Sequence, residues 1–402
     1  MPTIHRPDSR PISDGAVSSL LGASSSTHSW LEVNKGALVH NIMSYQALMP
    51  ESVSFGIVVK ANAYGHGMVP VAQAVKDLPR ISYFLVASLS EAVQLRQSGI
   101  EQPILVMSYN DLPLEYAFTH NIHLAVVDEH HAQLVSQAAA AHNTTAHVHI
   151  KVDTGLGRLG IPYPQAFETI KRIVHYKNLN IIGIFTHFAD SESDDLTFAK
   201  FQQEQFATLV DRLAAEGITF AFRHTSCTAA ISAHEYGLPL VSTMVRLGLG
   251  TYGLWPSVEN KALTQAKVPH FTLKPVLTWK AQIIQVKEVP AGSSIGYDRT
   301  YTTTRPTKLA LLPVGYADGL DRRLSNTGSV LINDHLAPIV GRVAMNVAIV
   351  DVTDIPQVTA GDVAILMGPP PVSANQVAAA IGTISYEVVA RINPGLPRVV
   401  IE

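Results

Sequence analysis

A lysine directly after a short apolar segment is the residue in this sequence best suited to covalent chemistry. Residues 53–59 read VSFGIVV, a pattern typical of a strand buried on both faces, and Lys60 follows at its end. Burial disfavours the ammonium form, lowers the pKa of the amine and makes a lysine nucleophilic, so that it can form a Schiff base with an aldehyde cofactor. Tyr64, one turn later, could hydrogen-bond a phosphate group. The alternative is a lysine that reaches solvent past the glycine-rich turn behind it.

A second lysine and an arginine stand in segment 151–158, which reads KVDTGLGR. Lys151 and Asp153 share one face of a predicted strand, and Arg158 lies on the loop that follows. A guanidinium on such a loop can hold a carboxylate by two parallel hydrogen bonds, whereas the alternative is an arginine on an ordinary surface turn. A lysine inside a fold must be paired with an acid, uncharged or chemically modified, and these three states stay open for Lys151.

Three further polar residues stand at or near the ends of predicted strands. His187 lies in THFAD, Thr228 follows Cys227, and Arg246 opens RLGLG. The glycines of RLGLG allow backbone N–H groups to approach an anion closely. A histidine at this place is either a packed or bridging side chain or a catalytic one, and the residue alone does not decide between these roles.

Eight short apolar segments place these residues in one fold. They are separated by stretches with helix-like patterns and cover residues 53–59, 83–88, 103–108, 123–128, 147–153, 181–187, 220–226 and 244–250. Eight alternating strand and helix units predict a (β/α)8 barrel, and the alternative is an open doubly wound sheet. In such barrels the active site lies at the C-terminal ends of the strands, and the loops after strands seven and eight usually bind phosphate. Ser88 and Glu91 predict a capping box at the start of one helix.

The sequence divides into three parts. Residues 1–28 are rich in Ser, Pro and Gly and predict a disordered or loosely docked extension, and residues 29–265 form the predicted barrel domain. From residue 266 to 402, short strands alternate with Gly, Pro, Asn and Asp turns, which predicts a mostly β C-terminal domain. One helix is expected at about 374–381 and a second helical piece from Ser385.

Composition excludes several classes of protein. A chain of 402 residues is long enough for two domains, and a formal net charge of -3 argues against a nucleic-acid-binding surface. No run of 18 apolar residues exists, so no membrane span is expected, and the apolar segment 17–23 is too short for a convincing secretion signal. The single cysteine, Cys227, cannot form an intrachain disulfide, which favours a reducing, cytoplasmic location. No metal site is expected.

Seven motifs together resemble the alanine racemases, pyridoxal 5'-phosphate enzymes built from a (β/α)8 barrel and a C-terminal β domain. The resemblance runs from about Trp30 to the end of the chain. The motifs occur in the family's order as KANAYGHG, KVDTGLGRLG, THFAD, VRLGLGTYG, GYADGL, GRVAMN and SYE. The resemblance implies racemisation of L- and D-alanine by a homodimer with shared active sites, and a supply of D-alanine for peptidoglycan.

The resemblance also implies catalytic roles. Lys60 would carry the cofactor as a Schiff base and act as one of two bases, and Tyr297 of the partner subunit would be the other. His187 would bridge Tyr297 and Arg246, and Arg246 would hydrogen-bond the pyridine nitrogen of the cofactor. Because a guanidinium holds its proton tightly, Arg246 would leave that nitrogen uncharged.

The remaining implied roles concern binding. The cofactor phosphate would be held by Tyr64, Thr228, Gly248, Leu249 and Tyr386. The substrate carboxylate would be bound by Arg158 and the backbone N–H of Met345. Lys151 matches a lysine that is often carbamylated in this family. An access corridor would be lined by Tyr316, Arg322 and Arg342.

Three places depart from the commonest family pattern and leave the substrate open. Cys227-Thr228 stands where Asn-Ser is usual, Ala344 and Asn346 stand where Cys or Ser and Asp are common, and Gly296-Tyr297-Asp298 replaces Ser-Tyr-Gly. Because the polarity of a pocket influences side-chain choice, a racemase of broader or serine-type specificity is the main alternative. A non-catalytic pyridoxal-phosphate carrier and a decarboxylase of the same fold are weaker alternatives, since the C-terminal motifs are those of racemases.

Overall fold

The computed structural model describes residues 28–235 and 237–402. The predicted extension, residues 1–28, lies outside the described residues except for His28, whose carbonyl accepts a hydrogen bond from the Gln282 N–H at 2.7 Å. Within the two described ranges, no helix is long and apolar enough to cross a membrane.

Strands and helices alternate in the first half of the described chain, and strands dominate the second. The strands, in chain order, are β1 Ser29–Asn34, β2 Ser54–Val58, β3 Ile81–Ser88, β4 Ile104–Tyr109, β5 Ile122–Val126, β6 Ala146–Asp153, β7 Ile161–Pro162, β8 Leu179–Phe185, β9 Phe222–His224, β10 Met244–Leu247, β11 Leu277–Gln282, β12 Gln285–Val289, β13 Ser294–Ile295, β14 Tyr301–Thr302, β15 Thr307–Leu312, β16 Ser329–Ile332, β17 His335–Pro338, β18 Ala348–Asp351, β19 Val363–Met367 and β20 Arg398–Ile401. The α-helices are Lys35–Ala47, Met68–Val75, Leu89–Gln97, Glu115–Thr119, Glu129–Ala141, Tyr163–Ile173, Thr197–Ala215, Thr228–His234, Val258–Lys267, Ala374–Ile381 and Ser385–Ala390.

Eight parallel strands form the wall of a barrel, in the order β10-β2-β3-β4-β5-β6-β8-β9. The two end strands come together through backbone hydrogen bonds of 2.9 Å, from the Thr243 N–H to the Arg223 carbonyl and from the Arg246 N–H to the Ser226 carbonyl. The predicted (β/α)8 barrel is therefore confirmed as a nearly closed barrel. Its strands are apolar on both faces because one face lines the interior and the other packs against the surrounding helices.

The helix Leu89–Gln97 shows how a barrel helix also serves the site. The Ser88 hydroxyl caps it by accepting a hydrogen bond from the Glu91 N–H at 3.3 Å. The Glu91 carboxylate does not return to the Ser88 N–H, so the predicted capping box is only half formed. That carboxylate instead accepts hydrogen bonds from the N–H groups of Ala61, at 2.6 Å, and Ala87, at 2.8 Å. The helix start is thereby tied to the turn that carries Lys60.

The C-terminal part is mostly β structure, as predicted. Its largest sheet has six strands in the order β17-β16-β19-β11-β1-β20, and smaller sheets are formed by β12-β15-β18 and by the hairpin β13-β14. The strand β1 precedes the barrel in sequence but pairs antiparallel with β11 and parallel with β20. Its buried residues alternate, so that Leu31 and Val33 lie on the face of this sheet that packs in the hydrophobic core. The domain limits near residues 29 and 265 remain a prediction.

Candidate active site

A cavity of about 470 Å³ lies at the C-terminal ends of the barrel strands. Its lining includes polar residues that follow strands β2, β6, β8, β9 and β10, together with residues of the helix Ser385–Ala390. Ten residues predicted from the sequence as site residues line it: Lys60, Tyr64, Lys151, Arg158, His187, Thr228, Arg246, Gly248, Leu249 and Tyr386. The barrel and the C-terminal helix together therefore bring into one cavity residues that are up to 326 positions apart in sequence.

The segment after Lys60 is a left-handed helical turn, a feature the sequence did not predict. Residues 61–64 all have φ near +53°, a conformation that costs L-residues roughly 1–2 kcal/mol each. Hydrogen bonds hold the turn: the Ala63 N–H donates to the Val59 carbonyl at 2.8 Å, and the Met68 N–H donates to the Asn62 side chain at 2.9 Å. Because of this turn, Lys60 and Tyr64 lie on the lining of the same cavity.

The C-terminal helix packs directly on the same turn. A Cβ atom on Gly65 would lie 1.9 Å from the carbonyl oxygen of Val389, so only a glycine allows this approach. The contact places Tyr386 beside the phosphate-binding candidates, with ring centroids of Tyr64 and Tyr386 6.2 Å apart. The C-terminal part of the chain thus completes one wall of the barrel's cavity.

The environment of Lys60 favours the neutral form of its amine. Burial, and secondarily the positive charge of Arg158, lowers the pKa of Lys60 below its ordinary value of 10.5. The side chain therefore carries a neutral amine over a wider pH range than a lysine in solvent. A neutral amine is the form that attacks an aldehyde and the form that accepts a proton.

The guanidinium of Arg246 is fixed on almost all sides. Its terminal nitrogens donate to the carbonyl oxygens of His224 at 2.6 Å, Thr186 at 2.9 Å and Thr225 at 2.9 Å. They also contact the Nδ1 atoms of His224, at 3.2 Å, and His187, at 3.1 Å. Among the described residues, none accepts a hydrogen bond from the remaining donor, the Nε–H group. This N–H is therefore free for an acceptor in the cavity. The pyridine nitrogen of pyridoxal phosphate is an acceptor of this kind, so Arg246 fits the cofactor.

An anion cradle lies between two hydroxyl groups. The N–H groups of Gly248 and Gly250 donate to the Thr228 hydroxyl at 3.1 and 3.3 Å. A Cβ atom on Gly248 would lie 2.8 Å from the Tyr64 hydroxyl and would fill the space between Tyr64 and Thr228. The two N–H groups thus fix the Thr228 hydroxyl, and the hydroxyl groups of Tyr64 and Thr228 on either side of this space can both donate to a phosphate group.

Glu192 is a site residue that the sequence reasoning missed. Its carboxylate accepts a hydrogen bond of 2.9 Å from the Tyr386 hydroxyl, and it lines the cavity with Thr228. Burial, and less strongly the nearby Asp190, raises the pKa of this carboxyl. The signal that could have found Glu192 is its place five residues after His187, on the loop that leaves a barrel strand.

Lys151 is buried beside other cations. It is 4% exposed, and no carboxylate in the described part of the chain lies within ion-pair distance of it. Asp153, which follows on the same strand, accepts hydrogen bonds from four loop N–H groups between residues 155 and 158 and so shapes the loop of Arg158. Burial, together with Arg158, Arg246 and Lys60, lowers the pKa of Lys151 to about 8. Of the three states expected for Lys151, pairing with an acid is not found among the described residues. With a pKa of about 8, part of the unmodified amine is neutral at neutral pH, and chemical modification stays open.

We expect this shift in the pKa of Lys151 to make stability depend on pH. The folded-state pKa of about 8 lies below the ordinary value of 10.5, so the unfolded chain binds more protons between these values and stability rises with pH there. In buffers free of carbon dioxide, the wild-type chain should gain up to about 3 kcal/mol relative to Lys151→Met across this window. Urea unfolding at a series of pH values measures the difference. Lys171→Met, which removes a half-exposed surface lysine, is the control, and a wild-type-to-Lys151→Met difference that does not change with pH would contradict the expectation.

The five other predicted residues lie outside the cavity lining in this single chain. Tyr297 is 70% exposed, Met345 is 56% exposed and Tyr316 is 44% exposed. The carboxylate of Asp298, the residue after Tyr297, lies 3.7 Å from an Arg322 nitrogen and 3.4 Å from an Arg342 nitrogen. Accordingly, one chain contains the lysine half of the predicted site and presents the tyrosine half on the surface of its C-terminal part.

The loop that carries Tyr316 and the loop that carries Met345 are joined by backbone hydrogen bonds. The N–H groups of Tyr316 and Ala317 donate to the carbonyl oxygens of Ala344, at 3.1 Å, and Met345, at 3.0 Å. A Cβ atom on Gly315 would lie 2.2 Å from the Ala344 carbonyl oxygen, so the two loops are in direct backbone contact. The motifs GYADGL and GRVAMN, which are distant in sequence, therefore form one surface, and Arg342 belongs to the second motif.

Comparison with protein families gives two matches that together cover most of the chain. The family described as "Alanine racemase, N-terminal domain" matches residues 33–256. The family described as "Alanine racemase, C-terminal domain" matches residues 276–400. The unmatched segment, 257–275, lies where the alternation of strands and helices ends.

Relatives and solved structures agree with the family match. An alanine racemase of Halothermothrix orenii is 38% identical over 375 residues, which cover 92% of this chain and 96% of the relative. One of Desulfovibrio desulfuricans is 36% identical over 375 residues, covering 93% and 98%. An alanine racemase structure of Clostridium difficile has a TM-score of 0.87 at 31% identity, covering 94% of this chain and 97% of that one. A structure of the Bacillus anthracis alanine racemase with bound L-Ala-P has a TM-score of 0.85 at 31% identity, covering 94% and 96%.

Proposed function

Because this chain belongs to the alanine racemase family of pyridoxal 5'-phosphate-dependent isomerases, we propose that it interconverts L- and D-alanine with two opposed proton carriers, Lys60 and Tyr297 of the partner subunit. The observation that carries the proposal is the division of the site. Lys60 lines the cavity with Arg246 and the anion cradle, whereas Tyr297 is 70% exposed elsewhere on the chain. A second copy that inserts its Tyr297 into the cavity would complete the site, which is the reason to propose a homodimer.

Pyridoxal phosphate fits the residues of the cavity. Tyr64, Thr228, Gly248, Leu249 and Tyr386 would hold its phosphate through hydroxyl and backbone N–H groups, and the Tyr386 hydroxyl would then donate to the phosphate in place of the Glu192 carboxylate. When bound, the cofactor withdraws electrons from the α-carbon of the amino acid and thereby makes the α-proton acidic.

Arg246 would orient the cofactor through its free Nε donor. Burial lowers the pKa of Arg246 to about 10, yet the guanidinium stays charged at neutral pH. It therefore donates a hydrogen bond to the ring without transferring a proton. The terminal nitrogens of Arg246 are held by the barrel, so the donor keeps a fixed direction.

The two proton carriers would act from opposite faces of the α-carbon. On one face the neutral amine of Lys60 accepts or returns the proton, and on the other face the hydroxyl of the partner's Tyr297 does so. His187 would hold that tyrosine, because its Nδ1 atom already accepts a hydrogen bond from Arg246 at 3.1 Å and its Nε2 atom is left as a donor. Removal of a proton on one face and its return on the other inverts the configuration.

Substrate binding would use the loops at the mouth of the cavity. Arg158 would bind the substrate carboxylate with its guanidinium, and the backbone N–H of Met345 from the partner subunit would add a second contact. Tyr316, Arg322 and Arg342 would line the access corridor, where the contacts of Asp298 reduce the net positive charge of the two arginines. In this role the product D-alanine would serve peptidoglycan synthesis, and the enzyme would work in the cytoplasm.

A chiral assay over several amino acids tests this function. We expect purified protein with added pyridoxal phosphate to form D-alanine from L-alanine and to act on serine much more slowly. Rates for serine comparable to those for alanine would support the broader-specificity alternative, to which Ala344 and Asn346 point. No D-alanine at neutral to alkaline pH would contradict the proposal.

Carbamylation of Lys151 is a second proposal for the same site. The pKa of about 8 gives a neutral amine fraction at neutral pH, and this amine can attack carbon dioxide to form a carbamate with release of one proton. The resulting anion would pair with Arg158 and relieve the repulsion among buried cations. We expect a carbamate carbon signal in NMR spectra of protein equilibrated with ¹³C-bicarbonate. The signal should be absent from Lys151→Met, and an equal signal in both proteins would contradict the assignment.

A further inference from the structure

A buried network of three histidines and one tyrosine crosses the barrel interior beneath Arg246. It consists of His224, His149, Tyr83 and His123, all of which are 6% exposed or less. We propose that this network, and His149 in particular, is a positioning element for Arg246: it holds His224 in the one tautomer that can accept a hydrogen bond from the guanidinium. The effect of this network on catalysis rests on the proposed racemase function, whereas the assignment of the histidine tautomers does not.

The network is a continuous series of hydrogen bonds. The Nε2 atom of His224 lies 3.0 Å from the Nδ1 atom of His149. The Nε2 atom of His149 lies 3.2 Å from the Tyr83 hydroxyl, which lies 3.0 Å from the Nδ1 atom of His123. At its other end, the Nδ1 atom of His224 lies 3.2 Å from a terminal nitrogen of Arg246. Strands β3, β5, β6, β9 and β10 each contribute one residue, so the series spans the barrel.

The guanidinium fixes the direction of every bond in this series. Arginine has donors and no acceptor, so the Nδ1 atom of His224 must accept and its proton must be on Nε2. That N–H then donates to the Nδ1 atom of His149, whose own proton must be on Nε2 and must donate to the Tyr83 oxygen. The Tyr83 hydroxyl is thereby left to donate to His123. All three histidines are assigned as neutral Nε2–H tautomers.

The electrostatics agree with neutral rings. Burial lowers the pKa of His149 and of His123 to about 3, and it holds the pKa of His224 well below its ordinary value. Burial also raises the pKa of Tyr83, so its hydroxyl keeps the proton that it donates. Adding a proton to His224 would give it a donor at Nδ1 facing the donor of Arg246, which would break the contact.

A glycine on the neighbouring strand makes room for His149. A Cβ atom on Gly183 would lie 2.3 Å from the Nδ1 atom and 2.7 Å from the Cε1 atom of His149. Gly183 is not among the residues with positive φ, so its backbone conformation would tolerate another residue. The glycine is therefore explained mainly by the imidazole ring, which occupies the space where a side chain would stand, and also by the Phe222 carbonyl oxygen, which would lie 2.9 Å from that Cβ atom.

The role of the network follows from what Arg246 needs. Its Nε donor can point steadily into the cavity only if the terminal nitrogens keep their acceptors, and His224 supplies two of these, its carbonyl oxygen and its Nδ1 atom. Without an acceptor for its Nε2–H, the ring of His224 could rotate or change tautomer. His149 fixes the ring of His224 by accepting this hydrogen bond, and Tyr83 fixes the ring of His149 in the same way.

Ring-nitrogen NMR of the ¹⁵N-histidine-labelled holoenzyme tests the tautomers directly. We expect the resonances of His149 and His224, assigned by comparison with His149→Phe and His224→Gln, to show protonated Nε2 and unprotonated Nδ1 at all pH values where the protein is folded. A protonated Nδ1 on either ring would overturn the proposal. This readout does not depend on the substrate, so it stands even if the protein does not racemise alanine.

Two variants of His149 separate positioning from packing. Phenylalanine keeps an aromatic ring but neither accepts nor donates, whereas glutamine can do both. We expect His149→Phe to lower kcat about tenfold or more with a much smaller change in KM, and to shift the absorbance band of the bound cofactor, since a misplacement of about 1 Å can be that costly. His149→Gln should restore most of both properties. A folded His149→Phe enzyme with wild-type kcat and spectrum would overturn the proposal.

The control for stability is Ile150→Ala. Ile150 is the next residue on the same strand, is fully buried and packs in the hydrophobic core. Its truncation should lower the melting temperature without shifting the cofactor band or the ring-nitrogen resonances. If Ile150→Ala reduced kcat and shifted the band as much as His149→Phe at the same loss of stability, the effect would be one of packing and the positioning role would be wrong.

Discussion

Replacing Lys60 with alanine lowers the rate of alanine racemisation by at least about 10⁴-fold, because the same side chain is proposed to attach the cofactor and to move the proton on one face. Both functions depend on the neutral amine that burial and Arg158 favour. The variant should also lose the absorbance band of the lysine-bound cofactor. Formation of D-alanine from L-alanine and the absorbance spectrum measure the two losses.

Two further lysine variants make the Lys60 result specific. Lys60→Arg keeps a positive charge, but a guanidinium is too weak an acid to release its proton, so this variant should be as inactive as Lys60→Ala. Lys171→Ala removes a surface lysine that pairs with Glu216 at 3.1 Å and has no part in the proposed mechanism. This variant should keep both the rate and the spectrum. A Lys60→Ala enzyme with more than a small fraction of wild-type activity would contradict the proposal.

Replacing Tyr297 with phenylalanine removes the other proton carrier and leaves the first in place. We expect kcat for racemisation to fall about 10²- to 10⁴-fold, the usual contribution of a positioned acid or base. In deuterated water the variant should still exchange the α-proton of one enantiomer, because Lys60 can remove and return a proton on its own face. Such exchange without inversion, followed by NMR, distinguishes a lost base from a damaged site.

The Tyr297→Phe result has a matched control in Tyr116→Phe. Tyr116 is also solvent-exposed, at 40%, but it lies on the helix Glu115–Thr119 outside the barrel. That variant should keep wild-type rates for both enantiomers. Equal loss of exchange for both enantiomers in Tyr297→Phe would show that Tyr297 is not the carrier for one face alone.

Much of the site could be predicted because the ends of buried strands can be recognised in the sequence. The eight apolar segments predicted the barrel, and the barrel placed Lys60, Lys151, His187, Thr228 and Arg246 around one cavity. The alternation of strands and helices carries this information, since parallel strands bring their carboxyl ends to the same edge. These five residues line the cavity in the structure together with five others, of which Gly248, Leu249 and Tyr386 were assigned to the site by the family resemblance.

Other features depend on contacts that no local pattern encodes. The left-handed turn of residues 61–64 is held by Glu91 and by packing against Val389, residues that are distant in sequence. The pairing of Tyr386 with Glu192 likewise joins the C-terminal helix to a barrel loop. Residues of the network beneath Arg246, such as His149, lie within apolar strands, where a histidine reads as an interruption of the core.

The position of Tyr297 shows a different limit. Its motif was recognised from family resemblance, and the structure of one chain leaves it exposed, next in sequence to the Asp298 that pairs with Arg322 and Arg342. Whether it serves the cavity of its own chain or that of a second copy is a property of the assembly. An experiment on mixed subunits therefore decides between the two arrangements.

Activity of a hybrid dimer tests the shared site most directly. Subunits carrying Lys60→Ala and subunits carrying Tyr297→Phe can be co-expressed with different affinity tags, and the hybrid isolated by two purification steps. If Tyr297 acts across the interface, one of the two sites in the hybrid has both wild-type residues, and the hybrid should show about half of the wild-type kcat per dimer. If Tyr297 acted within its own chain, neither site would be complete, and a hybrid no more active than its two parent homodimers would contradict the account.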